Sequence, residues 1–220
     1  MSNCLICQQS LTSKTLFTQV LFFTPSAPAT CRDCLSSFEK IAEQHCLTCF
    51  KSGEIDCRDC YYWQRQGKEV SHSSLYQYNQ AMASYFSLYK FQGDYLLRKV
   101  FAKELILYFK QWKDYTIVPI PLGPKRLEER GFNQVTAVLE EAAIPYYTLL
   151  GKEDIAKQSN KSRKERLELT QPFYLIEESS LPEKILLVDD IYTTGATIQL
   201  AKEILMKKGA KTVKSFSIAR

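Results

Sequence analysis

The stretch "ILLVDDIYTTGAT", Ile185–Thr197, runs four apolar residues into two adjacent aspartates and then through two threonines, a glycine and a third threonine. A short apolar run closed by turn residues reads as a buried strand, and Ala196 to Lys208, ended by Gly209, reads as the helix that follows it. Two carboxylates side by side in a poorly solvated place raise each other's pKa, and one proton tends to stay. Asp189 and Asp190 are therefore expected to face something that rewards the pair.

Outward from this stretch, the second part of the chain alternates between the two periodicities. "YTIVPIP" (Tyr115–Pro121), "PYYTLL" (Pro145–Leu150), "PFYLI" (Pro172–Ile176), "KILLVDD" (Lys184–Asp190) and "TVKSFSIA" (Thr212–Ala219) read as strands, and Asn133–Ala143 as a helix. Two helices are expected before the sheet. Asn79 caps one that runs to about Lys90; Asp94 caps a longer one with Leu96, Leu97, Val100, Leu105 and Phe109 on its apolar side. Helices alternating with short apolar strands predict an α/β fold with a mainly parallel sheet and helices on both faces.

Ligands of such sheets sit at the carboxyl ends of the strands, which places Asp189 and Asp190 at the mouth. Thr193, Thr194, Gly195, Ala196 and Thr197 form a turn at a helix amino terminus, where unpaired N–H groups attract an anion. Gly195 lets the backbone come close, and the threonine hydroxyls add donors. The loop suits a phosphate, and carboxylates beside it suit ribose hydroxyls or Mg²⁺. Phosphate, sugar and metal together describe phosphoribosyl pyrophosphate. Neither G-x-x-x-x-G-K-[ST] nor a G-x-G-x-x-G after a strand is present.

All 8 cysteines lie in the first sixty residues, paired as C-x-x-C: Cys4/Cys7, Cys31/Cys34, Cys46/Cys49 and Cys57/Cys60. Two such pairs complete the tetrahedral set of four sulfurs that zinc prefers, so four pairs predict two structural zinc ions. The short gap between Cys49 and Cys57 favours grouping neighbouring pairs, with Cys4, Cys7, Cys31 and Cys34 as the other site; a cross-braced grouping is the alternative. His45 and His72 are read as surface histidines. With Leu21, Phe22 and Phe23 as nearly its only large apolar cluster, this segment needs metal to fold. A small zinc-ribbon domain over residues 1–62 is expected ahead of a second domain over 63–220.

The 220 residues, 45% hydrophobic and 24% charged, are those of an ordinary globular chain. The apolar stretch at Val20–Phe23 is far shorter than a membrane span, and Met1–Cys7 does not read as a secretory start, so a cytoplasmic protein with reduced thiols is expected. The net charge of +5 does not by itself announce nucleic acid. It is concentrated in Lys125, Arg126 and Arg130, and in Lys157, Lys161, Arg163, Lys164 and Arg166.

"VDDIYTTGAT" resembles the binding signature of type I phosphoribosyltransferases. By that resemblance Asp189 and Asp190 hold the ribose 2- and 3-hydroxyls, and Thr193 to Thr197 wrap the 5-phosphate, with Mg²⁺ accompanying the pyrophosphate. "VPIPLGPKRLEERGFNQ" (Val118–Gln134), "LYKFQGDYLL" (Leu88–Leu97) and the cysteine-rich double zinc ribbon are similar to the ComF family of late-competence proteins. That resemblance covers nearly the whole chain. It implies a type I phosphoribosyltransferase-like sheet behind a zinc-ribbon domain, and a role in DNA uptake during natural transformation with the helicase-like ATPase ComFA.

Arg126 and Arg130, one helical turn apart, are candidates for binding pyrophosphate; fixing the loop is the equal alternative for Arg130 with Asn133. The segment from Gly151 to Gln171 reads as a lid, with Gln158, Arg163 and Arg166 resembling family positions. Two functions stay open. One is a binding component, its ribbons gripping ComFA and its basic loop and Tyr61, Tyr62 and Trp63 holding single-stranded DNA. The other is a transferase moving the phosphoribosyl group to a nitrogen acceptor whose site is not legible.

Overall fold

The computed structural model describes residues 2–11, 28–55, 57–154, 171–177 and 180–220. A two-stranded ribbon opens the chain, β1 (Ser2–Asn3) against β2 (Ser10–Leu11), followed by the short helices α1 (Arg32–Ser36) and α2 (Arg58–Arg65). Then come β3 (His72–Tyr76), α3 (Gln80–Phe91), a 3-10 turn at Tyr95–Lys99, α4 (Ala102–Phe109) and β4 (Thr116–Pro119). After them run α5 (Pro124–Arg130), α6 (Gln134–Glu141), β5 (Leu150–Lys152), β6 (Phe173–Leu175), β7 (Lys184–Ile191), α7 (Ala196–Lys207) and β8 (Thr212–Ala219).

The central sheet has the order β3-β8-β7-β4, and every pair in it is parallel. Because side chains alternate across a strand, β7 feeds two cores. Leu186 and Val188 pack with α3, α4 and α6 through Phe86, Leu105, Val138 and Leu139. Ile185 and Leu187 face the other way, onto Ile198, Ala201 and Leu205 of α7 and onto Cys46, Cys49 and Cys57. Helices thus cover both faces, and the second cysteine group is part of one core. No helix among the described residues is long and apolar enough to cross a membrane.

Asn79 caps α3 as expected, its side chain accepting from Met82 N at 3.0 Å. The longer helix expected from Asp94 is divided: Asp94 caps the 3-10 turn, and α4 starts afresh after Phe101. The strand expected at Pro145–Leu150 forms later, as β5, where Leu150 and Gly151 pair antiparallel with β6.

His72 is a correction. It is the first residue of β3, 4% exposed, and is not a surface histidine. Nδ1 lies 2.9 Å from Ser215 Oγ, and Nε2 lies 2.9 Å from Ser74 Oγ and 3.0 Å from Ser217 Oγ. The ring stacks on Tyr192 at 4.0 Å. Burial, and secondarily the charge of Arg220, depress its pKa, so the imidazole stays neutral. Trp63 corrects a second expectation: at 3% exposure it cannot stack on a base, whereas Tyr61 is exposed. Leu21, Phe22, Phe23, Lys157, Gln158, Lys161, Arg163, Lys164 and Arg166 lie outside the described residues.

Candidate functional site

β4 pairs with β7 only as far as Pro119 opposite Val188, with Ile120 N closing the edge onto Val188 O at 2.8 Å. β7 continues beside β8 alone, with Asp189 opposite Ser217 and Ile191 opposite Ala219. Asp189 and Asp190 therefore project past the end of β4. The chain leaving β4 turns into α5 and α6 on one face, and the chain leaving β7 turns into α7 on the other. Adjacent strands whose helices depart to opposite faces leave a crevice between their carboxyl ends, where α/β sheets take ligands.

Alternation sends the two aspartates to opposite faces. Asp190 is 6% exposed and already engaged: Lys90 Nζ lies 2.6 Å and Gln134 Nε2 2.7 Å from its Oδ2, and its Oδ1 accepts from Ile191 N at 2.7 Å. Asp189 is only partly buried by surface area, yet its carboxyl is poorly solvated. That desolvation, reinforced by the Asp190 charge, pushes its pKa up to about 7. Its surroundings thus favour the protonated form of Asp189 more than those of a solvated carboxyl would. Lys152 of β5 stands beside it, its own pKa lowered by burial and partly restored by Asp189.

The segment after β4 builds the floor of the crevice. Gly131 closes α5 in the left-handed region at φ 79°, so that Asn133 can cap α6, accepting from Val135 N at 2.8 Å. Asn133 Nδ2 reaches back to Ile120 O at 3.0 Å. Arg130 donates from Nε to Lys90 O at 3.2 Å and from Nη1 to Gln134 Oε1. Arg130 and Asn133 thus fix the loop, and Gln134 carries that order to Asp190. Arg126 is exposed on α5, whose first turn is capped by Asp154 Oδ2 accepting from Lys125 N at 2.7 Å.

On the other side, Thr193 and Thr194 are exposed and Gly195 is buried at φ 81°. A Cβ on Gly195 would overlap the Tyr192 ring, so glycine is required here for space as well as for conformation. The N–H groups of Thr193 to Thr197 have no backbone acceptor among the described residues, as the first turn of α7 requires. Sequence reasoning missed Lys90, Lys152 and Gln134 because their partners are remote in the chain; it placed Gln134 only at the end of a loop motif.

The eight cysteines form two groups, Cys4, Cys7, Cys31, Cys34 and Cys46, Cys49, Cys57, Cys60, each with all four sulfurs within 4.8 Å of one another. Neighbouring pairs are grouped, not alternate ones. A tetrahedral ion with Zn–S bonds of about 2.3 Å holds its sulfurs roughly 3.8 Å apart. Sulfurs of Cys7 and Cys31 lie 3.8 Å apart, of Cys46 and Cys60 3.7 Å, and of Cys49 and Cys57 3.4 Å. Both groups therefore fit zinc.

The two groups are built alike. In each, a knuckle turn carries the first pair: Cys4 N bonds Gln9 O and Gln8 N bonds Cys4 O, as Cys46 N bonds Lys51 O and Phe50 N bonds Cys46 O. The second pair opens a helix, Cys31 before α1 and Cys57 before α2. The sequence "CRDC" at 31–34 and again at 57–60 is the signal from which this duplication was readable. In each knuckle the first thiol is primed as thiolate. Burial opposes this, but backbone N–H donors at Cys4, and the Thr48 hydroxyl followed by backbone N–H donors at Cys46, prevail and bring both down to about 6.

Residues 99–220 match the family described as the phosphoribosyl transferase domain. Over 219 residues the chain is 45% identical to competence protein ComFC of Streptococcus pneumoniae, covering 99% of this chain and 100% of that protein. The chain belongs to the ComFC family of competence proteins. ComFC of Bacillus subtilis is 33% identical over 227 residues, 99% of this chain and 94% of its own. Competence protein F of Haemophilus influenzae is 25% identical over 206 residues, 86% and 84% of the two chains. The ComFC matches run through the cysteine-rich segment and the transferase domain together.

Proposed function

We propose that this chain serves DNA uptake during natural transformation as a binding component that works with the ATPase ComFA. In this reading it holds phosphoribosyl pyrophosphate, with Mg²⁺, in the crevice between β4 and β7. Residues 1–62 act as a double zinc-ribbon unit that contacts the partner, and residues 63–220 as the phosphoribosyltransferase-like unit. The observation that carries the role is the end-to-end match to competence proteins, which spans both units at 45% identity.

Thr193 to Thr197 receive the 5-phosphate on N–H groups that have no backbone acceptor among the described residues. Asp189, part-exposed and without an ion pair among the described residues, accepts from the ribose hydroxyls. Asp190 is held by Lys90 and Gln134 and keeps the strand end in position. Lys152 and Arg126 lie on the elements that flank Asp189 and suit the pyrophosphate; Arg163 and Arg166 belong to the proposed lid. Bound Mg²⁺ would neutralise pyrophosphate charge, and ribose hydroxyls donating to Asp189 would favour its ionised form, its proton passing to water.

The test is affinity for ComFA and for single-stranded DNA, measured on the full chain. Expected are saturable ComFA binding that survives Asp189→Asn and DNA binding that weakens steeply with salt, as phosphate contacts do. Steady pyrophosphate release with a nitrogen acceptor, near 1 per second or faster as in ordinary enzymes, would replace this reading with an active phosphoribosyltransferase.

A further inference from the structure

Two side chains reach the Thr193–Thr197 loop from the second cysteine group, and both take hold of carbonyl oxygens. Trp63 Nε1 donates to Thr194 O at 2.7 Å. Arg220 Nη1 donates to Thr193 O at 2.7 Å and lies 3.5 Å from Tyr192 O. Trp63 stands on α2, the helix whose start carries Cys57 and Cys60. Arg220 meets the cysteine group directly: Nε donates to Cys49 O at 3.3 Å, and Nη2 to Cys49 Sγ at 3.3 Å and to Asp59 Oδ2 at 3.1 Å. Its side chain is 7% exposed, and its guanidinium lies 4.9 Å from the centre of the Tyr192 ring.

The peptide plane gives these bonds a consequence. Within one trans peptide the C=O of one residue and the N–H of the next point in opposite directions. Pulling Thr193 O and Thr194 O toward the cysteine group therefore aims the N–H groups of Thr194 and Gly195 away from it. Four thiolates around one Zn²⁺ carry a net charge of about −2, which a buried guanidinium bonded to a ligand sulfur offsets and orients, as second-shell donors do. The first cysteine group has no such contact with the loop among the described residues.

We infer that Arg220 and Trp63 are positioning residues that make the phosphate loop depend on the second metal centre and not on the first. The inference rests on the reading of Thr193–Thr197 as the phosphate loop, but its structural half is measurable without any ligand.

Hydrogen exchange of the full chain, followed at the protected amides that bracket the loop, Tyr192 N on Ala219 O and Gln199 N on Gly195 O, both at 2.9 Å, reads the order of the loop. Arg220→Gln and Trp63→Phe should each speed exchange there by tenfold or more while both zinc ions are retained. Arg220→Lys, which keeps the charge but not the fork, should behave like Arg220→Gln. Cys60→Ser, which opens the second centre, should do the same, and Cys34→Ser, which opens the first, should leave the loop within twofold. In parallel calorimetry with phosphoribosyl pyrophosphate and Mg²⁺, the dissociation constant should rise about tenfold in the variants that loosen the loop. Unchanged loop exchange in Arg220→Gln overturns the inference, as does an equal response to Cys34→Ser and Cys60→Ser. Loop exchange that responds as expected in a protein that does not bind phosphoribosyl pyrophosphate supports the strut and overturns the ligand reading alone.

Discussion

Replacing Gly195 by alanine should damage the loop in two separable ways. Alanine in the left-handed region, at φ 81°, costs about 1–2 kcal/mol. Its Cβ would also overlap the Tyr192 ring, which is 2% exposed and held between His72, at 4.0 Å, and Arg220, at 4.9 Å. A ring so confined cannot swing aside, and forcing a methyl into such packing costs about 1–3 kcal/mol. The sum is roughly 2–5 kcal/mol, or a fall in Tm of about 5–15 °C for a chain of this size. Urea unfolding of Gly195→Ala, Tyr192→Leu and the double variant separates the two terms. With the ring gone, the alanine should cost only the backbone term, so the double variant should be about 1–3 kcal/mol more stable than the sum of the singles implies. A Gly195→Ala loss below about 1 kcal/mol, or strict additivity, would refute the close packing of loop on ring.

The Lys90–Asp190 pair, 2.6 Å apart with side chains 14% and 9% exposed, should make Asp190→Asn cost about 3 kcal/mol in urea unfolding, because a buried ammonium loses its partner. Adding Lys90→Met should recover part of that loss, and a cost under about 1 kcal/mol would show the pair to be irrelevant. Asp189 gives a pH signature in the ligand-free protein. Its folded pKa of about 7 lies above its ordinary 3.8, so its stabilising proton is fully present below pH 3.8 and lost as pH rises through 7. The loss amounts to at most about 4 kcal/mol, and Asp189→Asn should flatten that decline; an unchanged pH profile would count against it. Elemental analysis of protein purified without chelator should find about two zinc ions per chain, and one ion in fully loaded protein would contradict the pairing of cysteines.

The parts of this molecule legible from sequence are those whose cause is local. The apolar run Ile185–Val188, the aspartates after it and the glycine of the turn announce a strand, its carboxyl end and the tight turn into a helix by adjacency alone. The C-x-x-C pairs do the same for the metal groups. β3 escaped notice because "HSSLY" turns a histidine and two serines into a sheet whose interior satisfies them, a pairing that exists only once Ser215 and Ser217 lie alongside. The helix expected from Asp94 was placed correctly but not its break at Phe101, since the apolar period runs on through the change of axis. The contacts of Trp63 with Thr194 and of Arg220 with Cys49 join residues more than a hundred positions apart. No local pattern encodes them, and in sequence Trp63 looked like an exposed neighbour of Tyr61.

Calorimetric titration of the zinc-loaded full chain with phosphoribosyl pyrophosphate and Mg²⁺ tests the crevice between β4 and β7 most directly. The expected result is saturable binding of one ligand per chain that is lost in Asp189→Ala while the variant stays folded. Absence of binding at millimolar ligand, or undiminished affinity in folded Asp189→Ala, would contradict it.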